Sequence, residues 1–128
     1  MQNNITFPGK TVLVAEDYES NFYLLETILK IMDIKVLWVK NGNDAIESCL
    51  SNPDIDLVLM DIKMPDISGY KATEEIKKKR PDLPIIAQTA YALYGDDLKA
   101  EKAGCDAYIP KPIRRQKLID LLTKFLDK

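Results

Sequence analysis

The 128-residue sequence predicts an α/β domain: a doubly wound parallel sheet with helices on both faces. Three observations predict it. Short β-rich apolar runs recur, among them Val12-Leu13-Val14-Ala15, Leu57-Val58-Leu59-Met60 and Ile85-Ile86-Ala87-Gln88. Segments with helical apolar spacing separate these runs. Glycine, proline and asparagine punctuate the boundaries. Continuous rather than alternating apolar runs suit strands buried on both faces, as parallel sheets require.

The elements follow in order. Met1 to Gly9 is polar, ends in Pro8-Gly9 and reads as a tail or linker stub. Thr11 to Ala15 is the first strand. Phe22, Leu25, Ile28, Leu29 and Met32 recur at helical spacing and predict a helix from about Ser20 to Asp33. Ile34 to Val39 is the second strand. Asn41-Gly42-Asn43 is a turn, with Asn43 placed to cap a short helix that Ser51-Asn52-Pro53 stops. Asp56 to Met60 is the third strand, and Lys63 to Ser68 a loop. Gly69 to Lys79 is helical, broken by Pro81 and Pro84. Ile85 to Gln88 is the fourth strand. Asp96 to Ala103 is a helix closed by Gly104. Asp106 to Ile109 is the fifth strand, and Leu118, Leu121, Leu122 and Phe125 form the apolar stripe of a last helix. Strict alternation with right-handed crossovers gives the doubly wound arrangement. Residues 10–128 read as one domain, without repeats or low-complexity segments.

Composition narrows the function classes. Apolar residues make up 46% and charged residues 30%, as in a soluble globule. A net charge of -2 offers no nucleic-acid surface. Lys77-Lys78-Lys79-Arg80 is a basic run that reads as a helix C-terminus complementing the helix dipole. Cys49 and Cys105 form no C-x-x-C pair, so both read as small core or near-surface residues. The longest uncharged stretch, Leu83 to Gly95, is too short to span a bilayer, and the N-terminus lacks a signal-peptide core. A reducing cytoplasm is the expected compartment. Histidine is absent, which excludes His-ligated metals, Ser-His-Asp and Cys-His catalysis, and a histidine phosphodonor within this chain.

The apolar runs end on isolated polar residues: Glu16-Asp17, Asp61, Thr89 and, after Tyr108-Ile109-Pro110, Lys111. In an open parallel sheet, chemistry sits beyond the carboxyl ends of the strands. Three carboxylates, one hydroxyl and one ammonium are thus delivered to one sheet edge. An isolated acidic pair would read as a helix cap. Three acids at adjacent strand ends instead repel one another, and a hard divalent cation removes that cost.

These residues, with Met64-Pro65 and Gly69 behind Asp61, Ala90 after Thr89, and Pro112 after Lys111, resemble the receiver domain of two-component response regulators. The resemblance spans about Lys10 to Phe125. Asn21, Lys71-Ala72-Thr73, Gln88-Thr89-Ala90 and Gly104-Cys105-Asp106 look most like receivers attached to hybrid sensor histidine kinases. The resemblance implies a flavodoxin-like fold with strand order 2-1-3-4-5 and five helices. It also implies a phosphoacceptor switch that takes a phosphoryl group from a partner's phosphohistidine onto Asp61 and is reset by hydrolysis. The cofactor is then Mg²⁺ or Mn²⁺, at Glu16, Asp17, Asp61 and the Lys63 backbone carbonyl. Lys111, the Thr89 hydroxyl and the Ala90 amide bind the phosphoryl oxygens, and the Lys111-Pro112 bond is cis. Thr89 and Tyr108 switch the surface of helix 4, strand 5 and helix 5, which also offers a route to a homodimer. Lys63 and Tyr91 tune the lifetime of the acyl phosphate. The implied partners are a sensor histidine kinase or a histidine phosphotransfer domain, with neither nucleic acid nor membrane touched directly. The domain is cytoplasmic, alone or as the cytoplasmic part of a membrane-anchored hybrid kinase.

Departures from the family pattern are Glu16 for the commoner aspartate, Tyr18 for a frequent asparagine and Ser68 before Gly69. The competing reading is a phosphohydrolase with an aspartyl-phosphate intermediate. That chemistry wants a second acid two residues after Asp61, where Lys63 stands. An FMN carrier would want a hydroxyl- and glycine-rich first loop, whereas this loop is Glu16-Asp17-Tyr18-Glu19. A non-phosphorylated scaffold would not need every one of these polar positions.

Overall fold

The computed structural model describes residues 5–90 and 96–127, with only the backbone of Asp96 and Asp97. Five strands alternate with five helices: β1 (Thr11–Ala15), α1 (Glu19–Ile31), β2 (Lys35–Val39), α2 (Gly42–Ser51), β3 (Leu57–Asp61), α3 (Gly69–Lys79), β4 (Ile85–Thr89), α4 (Asp96–Ala103), β5 (Ala107–Pro110) and α5 (Arg115–Leu126). All pairings are parallel, and the strand order is β2-β1-β3-β4-β5. The flavodoxin-like order expected of the family is therefore the one found.

The continuous apolar runs are wholly buried in β1, β3 and β4, the three inner strands. The edge strands β2 and β5 are only partly buried. One core lies under α1 and α5, where Val12, Val14, Leu57, Leu59 and Ile86 meet Leu25, Leu29, Leu118 and Leu122. The other lies under α2 and α3, where Leu13, Val58, Met60 and Ile85 meet Ala45, Cys49, Ala72 and Ile76. Each fully buried leucine or isoleucine contributes about 2 kcal/mol by removal from water. Within the segment read as a tail or linker stub, Phe7 joins the first core, and its N–H donates to the Met32 carbonyl at 2.8 Å.

Several boundaries shift, for local reasons. The cap of α2 is Asn41, not Asn43: the Asn41 side chain accepts the Asp44 N–H at 2.7 Å, and helix begins at Gly42. The Asn43 N–H goes instead to Asp66. α1 stops at Ile31, and Asp33 takes a positive φ of 60° to turn the chain toward β2. Strands β3, β4 and β5 each run one residue further than expected: the polar residues Asp61 and Thr89 still sit in the ladder, and Pro110 pairs with Thr89. On α5, Leu118, Leu122 and Leu126 are buried, whereas Leu121 and Phe125 pack only partly. The basic run does more than face a dipole. Lys77 holds Asp106 and the Leu83 carbonyl at 2.7 Å each, and Arg80 holds the carbonyls of Cys49, Asn52 and Ile55 at 2.8–3.1 Å. None of the described helices is long and apolar enough to cross a membrane.

Candidate functional site

The carboxyl ends of β1, β3, β4 and β5 open onto one cleft of about 670 Å³. Asp17, Asp61, Lys63, Thr89, Ala90 and Lys111 line it. Glu16 lies behind them, fully buried, and its carboxylate comes within 4.8 Å of those of Asp17 and Asp61. Asp61 is 4% exposed and Thr89 3%, while Asp17 is open to solvent. Lys111 crosses from β5 and donates to Asp61 Oδ2 at 3.0 Å and to Glu16 Oε1 at 3.2 Å.

The local structure aims these groups. Asp61 is the last residue of β3, and the Lys63 N–H turns back to its Oδ1 at 3.2 Å. α3 starts against the same turn: the Gly69 N–H donates to the Ile62 carbonyl at 2.8 Å. A Cβ at Gly69 would overlap the Asp61 carbonyl oxygen, so only glycine fits. Ser68, the departure from the family pattern, caps α3 by accepting the Lys71 N–H at 3.1 Å. Lys111 is held by its own N–H, which donates to the Thr89 carbonyl at 2.7 Å, and the Lys111-Pro112 bond is cis, as the resemblance implied. Glu16 and Asp17 do not cap α1: its N-cap is Tyr18, which has no side-chain cap.

The electrostatics are those of a crowded anionic site. Burial, with a hydrogen bond and repulsion from Asp61, raises the Glu16 pKa from 4.5 to about 7. Burial works against the Lys111 charge, but its bonds to Asp61 and the nearby Glu16 outweigh that and push it up. Two buried carboxylates thus share the Lys111 ammonium, and the exposed Asp17 carboxylate lies within 4.8 Å of both. A donor set of three carboxylates and no nitrogen or sulfur suits a hard cation such as Mg²⁺.

The other sequence-derived residues fall as follows. Tyr108 is half-buried and lines a second cavity of about 500 Å³, with Pro110, Lys111 and Arg114. Lys111 thus borders both cavities. Tyr91 lies outside the described residues. Sequence reasoning missed Asp66, whose carboxylate accepts the Gly42 and Asn43 N–H groups at 2.8 Å each. Those bonds outweigh desolvation, lower its pKa, and tie the β3–α3 loop to α2. Aspartate before the N-terminus of a distant helix leaves no local sequence signal. Gln88 is expected as the end of the fourth strand and as part of the Gln88-Thr89-Ala90 motif. It is buried, and its amide has no hydrogen-bond partner among the described residues.

Comparison with known proteins agrees with this geometry. The profile of the response regulator receiver domain matches residues 12–123. The chain is similar to the polar-differentiation response regulator DivK of Brucella anthropi, 33% identical over 119 residues, covering 91% of this chain and 96% of that protein. It is similar to the receiver domain of sensor histidine kinase PA1611 from Pseudomonas aeruginosa, solved with a magnesium ion coordinated in the active-site cleft. That match has a TM-score of 0.86 and 34% identity, covering 94% of this chain and 99% of the other. It also matches the co-crystal structure of the Saccharomyces cerevisiae histidine phosphotransfer protein Ypd1 and the receiver domain of its downstream response regulator Ssk1. There the TM-score is 0.87 at 27% identity, over 95% and 92% of the two chains.

Proposed function

Because this chain belongs to the response regulator receiver domain family, we propose that Asp61 is its phosphoacceptor and that Glu16, Asp17 and Asp61 hold Mg²⁺. The observation that carries the reading is Lys111, bonded at once to Asp61 and Glu16 on the floor of an acid-lined cleft. A bound Mg²⁺ supplies positive charge that relieves the acids and offsets the charge of the phosphoryl oxygens. An Asp61 oxygen attacks phosphorus, an Asp61 O–P bond forms, and the P–N bond of the partner's phosphohistidine breaks. The imidazole leaves with its electron pair and takes a proton. Lys111 turns from the carboxylates to a phosphoryl oxygen, and the Thr89 hydroxyl and Ala90 N–H donate to another. Hydrolysis breaks the Asp61 O–P bond, releases inorganic phosphate and restores the carboxylate.

The donor is a sensor histidine kinase or a histidine phosphotransfer protein, supported by the Ypd1–Ssk1 and sensor-kinase relatives. Residues 10–128 serve as the receiver unit in the cytoplasm, and 1–9 lead into it. The Thr89–Tyr108 pair carries the change to α4, β5 and α5, and Lys63 with Tyr91 sets how long the acyl phosphate survives. Lys63, in place of a second acid, supports a switch that turns over only its own phosphate rather than a phosphohydrolase.

Acetyl phosphate with Mg²⁺ tests the assignment. Intact mass should show one added phosphoryl group, absent without the metal and absent in Asp61→Asn. An adduct that persists in Asp61→Asn overturns it.

A further inference from the structure

Trp38 lies outside the cleft, yet it touches the peptide that carries the acids. Its indole N–H donates to the Glu16 carbonyl at 2.7 Å. The Glu16 N–H donates to the Val39 carbonyl at 3.0 Å. Two consecutive residues of β2 therefore hold both backbone polar groups of Glu16. The second of these bonds continues the β1–β2 ladder, whose last register pair is Ala15 with Val39. The first does not: past the end of the strand, a side chain supplies the donor.

That carbonyl belongs to the peptide joining Glu16 to Asp17. Holding its plane, together with the Glu16 N–H, restricts where the two carboxylate side chains leave the backbone. The indole is itself fixed. It stacks on Phe22 of α1 with centroids 3.9 Å apart and planes 3° apart. Tyr23 meets it edge-on at 6.0 Å, and the Lys40 ammonium lies 4.7 Å from the ring centroid. Packing alone would accept any flat ring here. The indole adds a donor at the point where the loop leaves the sheet, which phenylalanine or leucine would not.

We propose that Trp38 is a positioning residue for the cation site, orienting the Glu16–Asp17 peptide through its indole N–H. The inference rests on the reading that Glu16, Asp17 and Asp61 hold Mg²⁺. Mg²⁺ demands near-ideal octahedral ligand placement, whereas Ca²⁺ tolerates a flexible shell. Loss of the indole donor therefore falls mainly on Mg²⁺.

The test is calorimetric titration of Mg²⁺ and Ca²⁺ into the full chain, below the melting transition of every variant. Trp38→Phe keeps a ring on Phe22 and removes the donor; Trp38→Leu serves if that variant does not fold. Phe22→Leu keeps the donor and removes the stack. The expected result is Mg²⁺ binding about tenfold weaker in Trp38→Phe, the low end for groups behind a metal ligand. Ca²⁺ binding and Phe22→Leu should change clearly less. An unchanged Mg²⁺ affinity in Trp38→Phe, an equal loss for Ca²⁺, or an equal loss in Phe22→Leu overturns the role of Trp38. A wild type that binds no Mg²⁺, or an Asp17→Asn variant that binds it as wild type does, overturns the cation site itself.

Discussion

The two edges of the sheet use the same residue types in opposite ways. At the amino edge, an aspartate stands just before a strand and closes the strand beside it. Asp56, before β3, accepts the Thr11 N–H at 2.8 Å and returns its own N–H to the Thr11 carbonyl at 2.8 Å. Asp106, before β5, makes the same pair of bonds with Ile85, each 2.8 Å, and takes the Lys77 ammonium as well. Arg80 gathers carbonyls at the same edge. At the carboxyl edge, three carboxylates crowd within 4.8 Å of one another, and Lys111 reaches two of them. The amino edge gives each acid its own donors; the carboxyl edge crowds its acids together and raises the pKa of one of them. An acid by itself marks nothing, whereas acids that the fold brings together against their mutual repulsion mark a site.

Variants on the two edges should therefore behave differently, and the largest effect belongs to Lys111. Lys111→Ala leaves Glu16 and Asp61 buried without their cation and should cost on the order of 3 kcal/mol at pH 8 without metal. Denaturant melts should show Mg²⁺ recovering part of that loss. The variant should also lose the conformational response to acetyl phosphate in amide spectra. A normal response would limit Lys111 to a structural ion pair.

Asp106→Ala on the amino edge should cost about 2 kcal/mol, by orphaning the Ile85 N–H and taking the counter-charge from Lys77, which keeps the Leu83 carbonyl. Here Mg²⁺ should recover nothing, and a recovery equal to that of Lys111→Ala would erase the distinction between the edges.

Glu16→Gln inverts the sign. Its folded-state pKa of about 7 lies above the ordinary 4.5. Between those values the folded state holds more protons than the unfolded one, so stability falls as pH rises from about 4.5 to 7. Above pH 7 the buried charge carries its full cost. Glu16→Gln should thus match wild type near pH 5 and exceed it at pH 8 by about 1–2 kcal/mol without metal. Mg²⁺ should favour the wild type. Equal stability of the two proteins at pH 8 would mean that the acids do not strain the fold.

The smallest effect belongs to Lys63→Ala and Tyr91→Ala combined. Removing both side chains should admit water and speed loss of the phosphoryl group by less than tenfold, under about 1.4 kcal/mol of barrier. Decay after donor removal measures it, and an unchanged rate would mean that neither residue gates the water.

The carboxyl edge was legible in the sequence because each functional residue follows an apolar run and the crossover rules bring strand ends together. Asp61, Thr89 and Lys111 could be read this way even though the ladder takes in Asp61 and Thr89 and stops short of Lys111. The helices were legible where apolar spacing was strong, as on α1. What was not legible depends on contacts between distant segments. Asp66 on the start of α2, Arg80 on the α2–β3 carbonyls and Trp38 on the Glu16 carbonyl involve partners 22 to 31 residues apart. Asn43 was misread for a related reason. Two asparagines flanked one glycine, and only the backbone direction decides which side chain reaches the third helical N–H.

The central contrast is tested most directly by titrating Mg²⁺ while following backbone amide shifts. The account predicts saturable shifts at Glu16, Asp17, Asp61 and Lys63, lost in Asp17→Asn, with Thr11, Asp56, Ile85 and Asp106 silent. Shifts of equal size at both edges, or an Asp17→Asn variant that responds as wild type does, would contradict it.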